Sequence, residues 1–239
     1  MGVKLVSFYG FSDERTVMKC KGADISLKAV LFDLDGTLID SKKDIAASAN
    51  ATRQHYGFKP LPDDMVGTFV GYGIMNLLSK TVESDDPERL KEAHQVFKTH
   101  YREHCVDATR PFKDAFELLE SLKDRRVQMG VVSNKPQEFT DLILKRLDMW
   151  DFFGAVLGPE ATIEKKPHPE PLLTALSRLG VKPSEGVMIG DSTVDIEAAR
   201  AAKMLVGVVT HGYGDRETLN IADPDWLVDS LAEFKEILT

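Results

Sequence analysis

The sequence contains little cysteine and no long apolar run, and each absence excludes a class of protein. Its 239 residues include two cysteines, Cys20 and Cys105, which belong to no CxxC pair. That number argues against a disulfide scaffold and favours a reducing compartment. Residues 1–10 lack the basic start and apolar run of a secretory signal, and no stretch is long enough to cross a bilayer. We therefore expect a cytoplasmic protein without a membrane partner.

Acidic residues also outnumber basic residues in this sequence. The formal net charge is -8 at pH 7, and no basic patch interrupts the acidic background. This balance argues against nucleic acid as a partner. A phosphate ligand would need local positive potential from a metal ion, a few lysines or backbone N–H groups.

Short, continuously apolar runs alternate with helical patterns along most of the chain. Parallel strands that are covered on both faces are apolar throughout, so these runs predict a parallel sheet. The predicted strands are residues 29–32, 127–132, 155–157, 187–189 and 205–209, and the predicted helices are residues 113–125, 137–147, 170–179 and 194–202. This order predicts an α/β fold with a doubly wound, Rossmann-like parallel sheet.

Residues 42–108 break the alternation, since they read as consecutive helices with no strand between them. Ser41 is a suitable N-cap for the first of these helices, with Asp44 three residues further on. We expect residues 42–108 to form a small all-helical cap domain inserted after the first core strand. Residues 28–41 and 109–239 then form the catalytic core. Residues 1–27 are an N-terminal extension in which 4–9 and 16–21 can pair as a hairpin.

The first polar motif, Asp33-Leu34-Asp35-Gly36-Thr37, directly follows the first apolar strand. Side chains two apart on a strand point the same way, so both carboxylates emerge together at the carboxyl end of the sheet. Ligands of open α/β sheets bind at that end. By itself the motif is equally compatible with a simple Asp-Gly turn.

Two further motifs carry groups that can hold phosphate oxygens. Ser133, Asn134 and Lys135 follow the strand that ends at Val132, and Lys166 precedes a proline-rich helix start. A rigid segment would place the Lys166 ammonium against the charge of a transferring group. Taken singly, residues 133–135 are also a plausible helix N-cap, and Lys166 is also a plausible surface lysine.

The fourth motif, residues 190–195, again follows an apolar strand and supplies two carboxylates. Asp191 would stand at the strand tip and Asp195 one helical turn later. Hard oxygen ligands of this kind suit Mg²⁺. The alternative is that one of these residues only caps the helix.

Together and in this order, the four motifs resemble those of the haloacid dehalogenase superfamily. The resemblance covers residues 28–239, and the helical segment stands where that superfamily carries its cap. Residues 133–136, 166–171, 190–196 and 211–214 are similar to the phosphoglycolate phosphatase branch. One departure is that residues 110–115 lack the glycine usual near the second cap hinge.

The resemblance implies a phosphatase that works through an aspartyl-phosphate intermediate. Asp33 resembles the nucleophile and Asp35 the general acid and base, with Ser133 and Lys166 completing the catalytic set. The implied cofactor is Mg²⁺, held by Asp33, Asp191 and the backbone carbonyl of Asp35, and oriented by Asp195. The implied substrate-binding residues are Gly36, Thr37, Asn134 and Lys135. The implied substrate is a small phosphorylated metabolite, 2-phosphoglycolate.

Other interpretations stay open at this point. Asp35 argues against a dehalogenase, because a phosphate ester leaves as an alkoxide that needs a proton whereas a halide does not. A sugar phosphomutase would share the same core residues, and a pyrophosphatase of the same superfamily is a further alternative. A non-catalytic phosphate-binding regulatory module is the third, although the four intact motifs argue against it. His100 and His104 match a short zinc-protease pattern that arises easily by chance. Gly71-Tyr72-Gly73 reads as a cap loop near the site, and the chain is expected to be a monomer or a homodimer.

Overall fold

The computed structural model describes residues 17–20 and 23–238 of the chain. Near the N-terminus, β1 (Val17–Cys20) pairs with β2 (Ala23–Ser26) in an antiparallel hairpin. The sequence predicted a hairpin in which residues 16–21 pair with residues 4–9, and the latter lie outside the described residues. In the described part of the chain, residues 17–20 pair with residues 23–26. This pairing closes a shorter loop than a pairing with residues 4–9 would.

Six parallel strands form the central sheet. They are β3 (Ala29–Phe32), β6 (Gln128–Val132), β7 (Ala155–Leu157), β8 (Gly186–Gly190), β9 (Leu205–Val209) and β10 (Trp226–Val228). Their order across the sheet is β10-β9-β8-β3-β6-β7, and every neighbouring pair is parallel. β3, which carries the first motif, therefore lies near the centre of the sheet between β8 and β6.

Helices cover both faces of this sheet. They are α5 (Ala115–Asp124), α6 (Gln137–Arg146), α7 (Glu170–Leu179), α8 (Thr193–Ala201), α9 (Arg216–Ile221) and α10 (Leu231–Leu238). Alternate residues of β3 enter separate hydrophobic clusters, Val30 and Phe32 on one face and Ala29 and Leu31 on the other. Burial on both faces is why the strand is apolar throughout. The predicted doubly wound α/β fold is confirmed.

Four helices stand between β4 (Ile39–Asp40) and β5 (Arg110–Pro111). They are α1 (Lys42–His55), α2 (Asp63–Gly67), α3 (Ile74–Val82) and α4 (Pro87–His104). β4 and β5 pair with each other in antiparallel fashion, so the outgoing and returning chain segments lie side by side. The division of the chain into a cap domain and a core domain stays a prediction.

The returning segment is fixed by a buried carboxylate. Asp44, in the first turn of α1, accepts hydrogen bonds of 2.7–3.0 Å from the backbone N–H groups of Ala108 and Thr109 and from the Thr109 hydroxyl. These bonds hold the return to β5 against the start of α1. The segment that lacks the glycine, residues 110–115, directly follows these bonded residues.

Candidate active site

The polar motifs converge at the carboxyl ends of three adjacent central strands. Asp33 follows β3, Ser133 follows β6 and Asp191 follows β8. All three side chains are buried, with exposed fractions of 3–7%. The parallel arrangement explains this convergence, because it turns the ends of strands that are distant in sequence toward one edge.

Lys166 connects two of the predicted site carboxylates. Its ammonium lies 2.8 Å from Oδ1 of Asp33 and 2.7 Å from Oδ1 of Asp195. Burial lowers the pKa of Lys166, but the charges of Asp195 and Asp33 outweigh this effect and hold the pKa above its usual value. Lys166 therefore remains a buried cation beside Asp33.

Three buried carboxylates, those of Asp33, Asp191 and Asp195, offer oxygens that all lie within 4.8 Å of one another. Burial and the charge of Asp195 raise the pKa of Asp33 to about 6, although Lys166 opposes the shift. Burial and the charges of Asp33 and Asp195 raise the pKa of Asp191 well above its ordinary value. The three carboxylates thus carry more negative charge than Lys166 balances. A cluster of carboxylate oxygens of this kind fits a divalent metal ion.

Asp195 combines two of the roles weighed from the sequence. Its Oδ2 accepts hydrogen bonds from the backbone N–H and hydroxyl of Ser192, at 3.2 and 2.7 Å, and so caps α8. Its Oδ1 accepts from Lys166. Both oxygens are therefore engaged with protein donors, as expected of a residue that orients its neighbours.

Two glycine-bearing loops enclose the Asp191 carboxylate. A Cβ on Gly36 would stand 2.3 Å from Oδ2 of Asp191, and a Cβ on Gly212 would stand 2.3 Å from Cβ of Asp191. Gly36 also has a φ of +87°, in the left-handed region. The backbone N–H of Tyr213 donates to Oδ2 of Asp191 at 2.7 Å. These contacts fix the carboxylate in one orientation.

The Asp35 carboxylate lies in a second polar network. It accepts hydrogen bonds from the Lys135 ammonium at 2.9 and 3.0 Å and from the Ser41 hydroxyl at 2.5 Å. The backbone N–H of Ser41 donates in turn to the Tyr213 hydroxyl at 2.8 Å. Ser41 stands at the N-cap position of α1, as predicted, but its side chain makes no capping hydrogen bond. Its hydroxyl donates to Asp35 instead.

The four predicted substrate-binding residues donate hydrogen bonds to other groups of the protein. Asn134 donates both amide N–H groups, to the carbonyls of Gly71 and Lys166, each at 2.9 Å. The Thr37 hydroxyl donates to Oδ1 of Asp191 at 3.3 Å, and the Gly36 N–H donates to the carbonyl of Ile39. The fourth, Lys135, contacts Asp35 as described above.

A small cavity joins these networks to the helical segment. Its volume is about 50 Å³, and its lining includes Asp33, Asp35, Lys166 and several side chains of residues 42–108. The loop at residues 71–73 lies over it, held by Asn134 and by Lys165, whose ammonium donates to the Tyr72 carbonyl at 2.7 Å. The predicted position of this loop at the mouth of the site agrees with these contacts.

A family described as haloacid dehalogenase-like hydrolase matches residues 30–209. The chain belongs to that family. The superfamily predicted from the four motifs is therefore confirmed.

Relatives of this hydrolase cover nearly all of the chain. A phosphoglycolate phosphatase of Neisseria meningitidis is 40% identical over 89% of this chain and 94% of its own length. An N-acetylmuramic acid 6-phosphate phosphatase of Pseudomonas aeruginosa is 37% identical over 78% of this chain and 83% of its own. A crystal structure of a predicted phosphoglycolate phosphatase from Haemophilus somnus has a TM-score of 0.85 and 29% identity, covering 89% and 98% of the two chains.

The two histidines of the zinc pattern each lie beside another side chain. Nδ1 of His100 lies 2.9 Å from the Ser48 hydroxyl, and Nδ1 of His104 lies 2.8 Å from the Asp107 carboxylate. Within residues 17–20 and 23–238, the group formed by Asp33, Asp191 and Asp195 is the only one found with three suitable ligands. None of the helices in that part of the chain has the length and apolar character required to cross a membrane.

Two residues of the site escaped the sequence-based assignment. Ser41 and Tyr213 connect Asp35 to the loop that holds Asp191. Tyr213 belongs to the glycine–tyrosine loop recognised in the sequence, which was the available signal. Nothing in the sequence pattern distinguished Ser41 from an ordinary capping serine.

Proposed function

We propose that this protein is a phosphatase that hydrolyses 2-phosphoglycolate through an aspartyl-phosphate on Asp33, with Mg²⁺ as cofactor. The observation that carries the proposal is the arrangement around β3. Two buried carboxylates emerge from one strand end, with Asp33 bound to Lys166 and close to Asp191, and Asp35 in a separate network. Carboxylates in different environments can take different chemical roles.

Asp33 is the proposed nucleophile. Its carboxylate attacks phosphorus, the bond to the leaving oxygen breaks, and water later hydrolyses the acyl phosphate. Lys166 keeps the Asp33 oxygen in place and offers positive charge to the phosphoryl group. Ser133, which is buried at the end of the neighbouring strand, supplies a hydroxyl to the same group.

Asp35 is the proposed general acid and base. In its protonated form it donates a proton to the leaving alkoxide, and the resulting carboxylate then accepts a proton from the attacking water. Its bonds to Ser41 and Lys135 hold the carboxylate near the cavity. Lys135 is also the proposed cation for the acidic end of the substrate.

Mg²⁺ would be held by Asp33, Asp191 and the backbone carbonyl of Asp35. When bound, it supplies positive charge that reduces the repulsion between carboxylate and phosphate. Asp195 orients this site through its bond to Lys166.

The helical segment, residues 42–108, is the proposed cap. Its loop at residues 71–73 is held to the core by Asn134 and Lys165. Such closure excludes water and adds contacts to the part of the substrate that the core does not grip.

A second candidate substrate is N-acetylmuramic acid 6-phosphate, favoured by the Pseudomonas aeruginosa relative. 2-Phosphoglycolate is the preferred candidate, because the Neisseria meningitidis phosphoglycolate phosphatase is similar over a larger share of the chain. The test is phosphate release from a panel of monoesters with Mg²⁺, ranked by kcat/KM. The proposal expects 2-phosphoglycolate first, ahead of hexose phosphates and nucleotides. A preferred sugar phosphate or pyrophosphate would contradict the assigned substrate, and no release from any ester would contradict the phosphatase.

A further inference from the structure

The helical segment contributes a nearly uniform apolar surface to the cavity. Nine of the residues that line the cavity come from residues 42–108, and eight of these are glycine, isoleucine, leucine, valine or phenylalanine. The ninth is Tyr101, on α4. Tyr101 is therefore the only residue of this segment with a polar side-chain group in the lining of the cavity.

The Tyr101 hydroxyl is buried and lacks a partner. The residue is 1% exposed, and its hydroxyl has no hydrogen-bond partner among the described residues. Burying a hydroxyl without a partner is unfavourable, so such a group calls for an explanation. Burial raises the pKa of Tyr101 well above 10, so the hydroxyl stays protonated and is available as a donor.

The ring of Tyr101 is fixed in place by its neighbours. It stacks on Phe97 with a centroid distance of 5.3 Å and meets Phe139 edge-on at 5.0 Å. The Lys135 ammonium lies over the face of the ring, 4.8 Å from its centroid, so a cation from the core stands beside the ring that carries this hydroxyl. A rigid aromatic ring presents its hydroxyl with little loss of conformational freedom on binding.

We propose that Tyr101 is a substrate-binding residue whose hydroxyl, together with the Lys135 ammonium, binds a carboxylate on the substrate remote from the phosphoryl group. The inference rests on the proposed phosphatase function and specifies its substrate class as phosphate monoesters of carboxylic acids. One cation and one hydroxyl donor suit the two oxygens of a carboxylate. Both candidate substrates, 2-phosphoglycolate and N-acetylmuramic acid 6-phosphate, carry such a group.

The test compares esters that carry a carboxylate with related esters that lack it. 2-Phosphoglycolate is paired with 2-hydroxyethyl phosphate, and N-acetylmuramic acid 6-phosphate with N-acetylglucosamine 6-phosphate. Tyr101→Phe removes only the hydroxyl, and it should lower the acid-to-neutral ratio of kcat/KM about tenfold or more in the pair that the wild type prefers. The pair that responds distinguishes the small acid from the sugar acid.

Tyr56→Phe is the matched control, because the Tyr56 hydroxyl donates to the Arg89 carbonyl at 3.2 Å and Tyr56 does not line the cavity. It should leave the ratio unchanged. An unchanged ratio in Tyr101→Phe, or an equal loss for acid and neutral esters, would overturn the proposal.

Binding separates this proposal from the proposed function. The ligands 2-phosphoglycolate and 2-hydroxyethyl phosphate are titrated calorimetrically into Asp33→Asn and into Asp33→Asn/Tyr101→Phe, each with Mg²⁺. Preference for the acid should fall about tenfold in the double variant, whether or not the wild type turns over either ester. No turnover with this shift would contradict the phosphatase alone, whereas turnover without it would contradict the role of Tyr101 alone.

Discussion

Asp33 is held in a conflict of charges. Burial and the Asp195 carboxylate disfavour its ionised form, and Lys166 favours it, with the net result that its pKa rises from 3.8 to about 6. A carboxylate nucleophile must be ionised to attack phosphorus. The surroundings of Asp33 therefore disfavour the form that the proposed reaction needs. Such a conflict is common where function and stability compete.

The first prediction concerns Asp33→Asn in excess chelator. The amide has nearly the same shape and carries no charge, so at pH 7.5 the free energy of unfolding should rise by roughly 1–3 kcal/mol. Lys166 keeps Asp195 as a partner. In a separate assay with Mg²⁺ in place of chelator, turnover should be lost, because an amide is a far poorer nucleophile. Thermal unfolding and phosphate release measure the two effects.

The pH dependence of that gain serves as its control. The folded-state pKa of Asp33 lies above its unfolded value of 3.8, so ionised Asp33 destabilises the fold above about pH 6. Below about pH 4 the carboxyl is protonated in both states and the penalty disappears. The stability difference between variant and wild type should therefore shrink as pH falls from 6 to 4. A difference that is constant over this range would show that the charge is not its cause.

The residues proposed to carry the chemistry could be found in the sequence, whereas several of their contacts could not. Asp33, Asp191 and Lys166 follow strand ends or precede a helix, and the fold brings them together as the motif order predicted. The bond from Ser41 to Asp35 depends on where the turn between β3 and β4 returns the chain. The side-chain N–H groups of Asn134 donate to backbone carbonyls of two other loops. The local sequence around Asn134 does not specify these partners.

At the scale of elements, the site depends on loops that approach closely. The turn after β3 and the loop after β9 enclose Asp191 from two sides, and glycine is present at both positions of closest approach. A side chain at either position would displace the carboxylate. The proposed metal site therefore depends on backbone shape as much as on its acidic residues.

The second prediction compares two glycines with left-handed backbone. Gly36 has a φ of +87° and no room for a Cβ beside Asp191, whereas Gly180, which ends α7, has a φ of +70° and nothing within 4 Å. Alanine at either position costs about 1 kcal/mol of conformational strain. Gly36→Ala should also lower kcat/KM by about a hundredfold or more and weaken Mg²⁺ binding.

Gly180→Ala is the control for that experiment and should keep its activity. Metal affinity is measured by calorimetry and stability by thermal unfolding. Equal activity in the two variants would show that the close approach to Asp191 has no functional importance.

Elements with strong hydrophobic patterns could be predicted from the sequence, whereas elements with weak patterns could not. The central strands are buried on both faces, and their apolar runs located them to within one or two residues. β10 was not predicted, because Trp226–Val228 is a short edge strand whose first two residues are only partly buried. Its position follows from pairing with β9, a long-range contact.

At the scale of the whole molecule, the helical segment and the sheet share hydrophobic packing. Leu78 and Phe97 of that segment belong to the same cluster as Phe32 and Val131 of the sheet. Asp44 fixes the returning segment beside α1. A ligand bound between the two parts should therefore affect the stability of the entire chain.

The third prediction is that Mg²⁺ both stabilises the chain and is required for turnover. Binding to the folded state alone raises the free energy of unfolding by about 2.7 kcal/mol at a hundredfold excess over Kd. The unfolding temperature should rise with Mg²⁺, and excess chelator should abolish phosphate release. Ca²⁺ should bind and inhibit, because its larger and looser coordination disturbs the geometry of transfer. Full turnover in chelator would contradict the metal requirement.

The central claim is that phosphate passes through a covalent bond to Asp33, and the most direct measurement is mass spectrometry of the trapped enzyme. The Asp35→Asn variant lacks the base that activates water, so with p-nitrophenyl phosphate, Mg²⁺ and an acid quench it should accumulate a phosphoryl group. The account predicts this group on Asp33 and its absence from Asp33→Asn/Asp35→Asn. A phosphoryl group on another residue, or one that persists in the double variant, would contradict it.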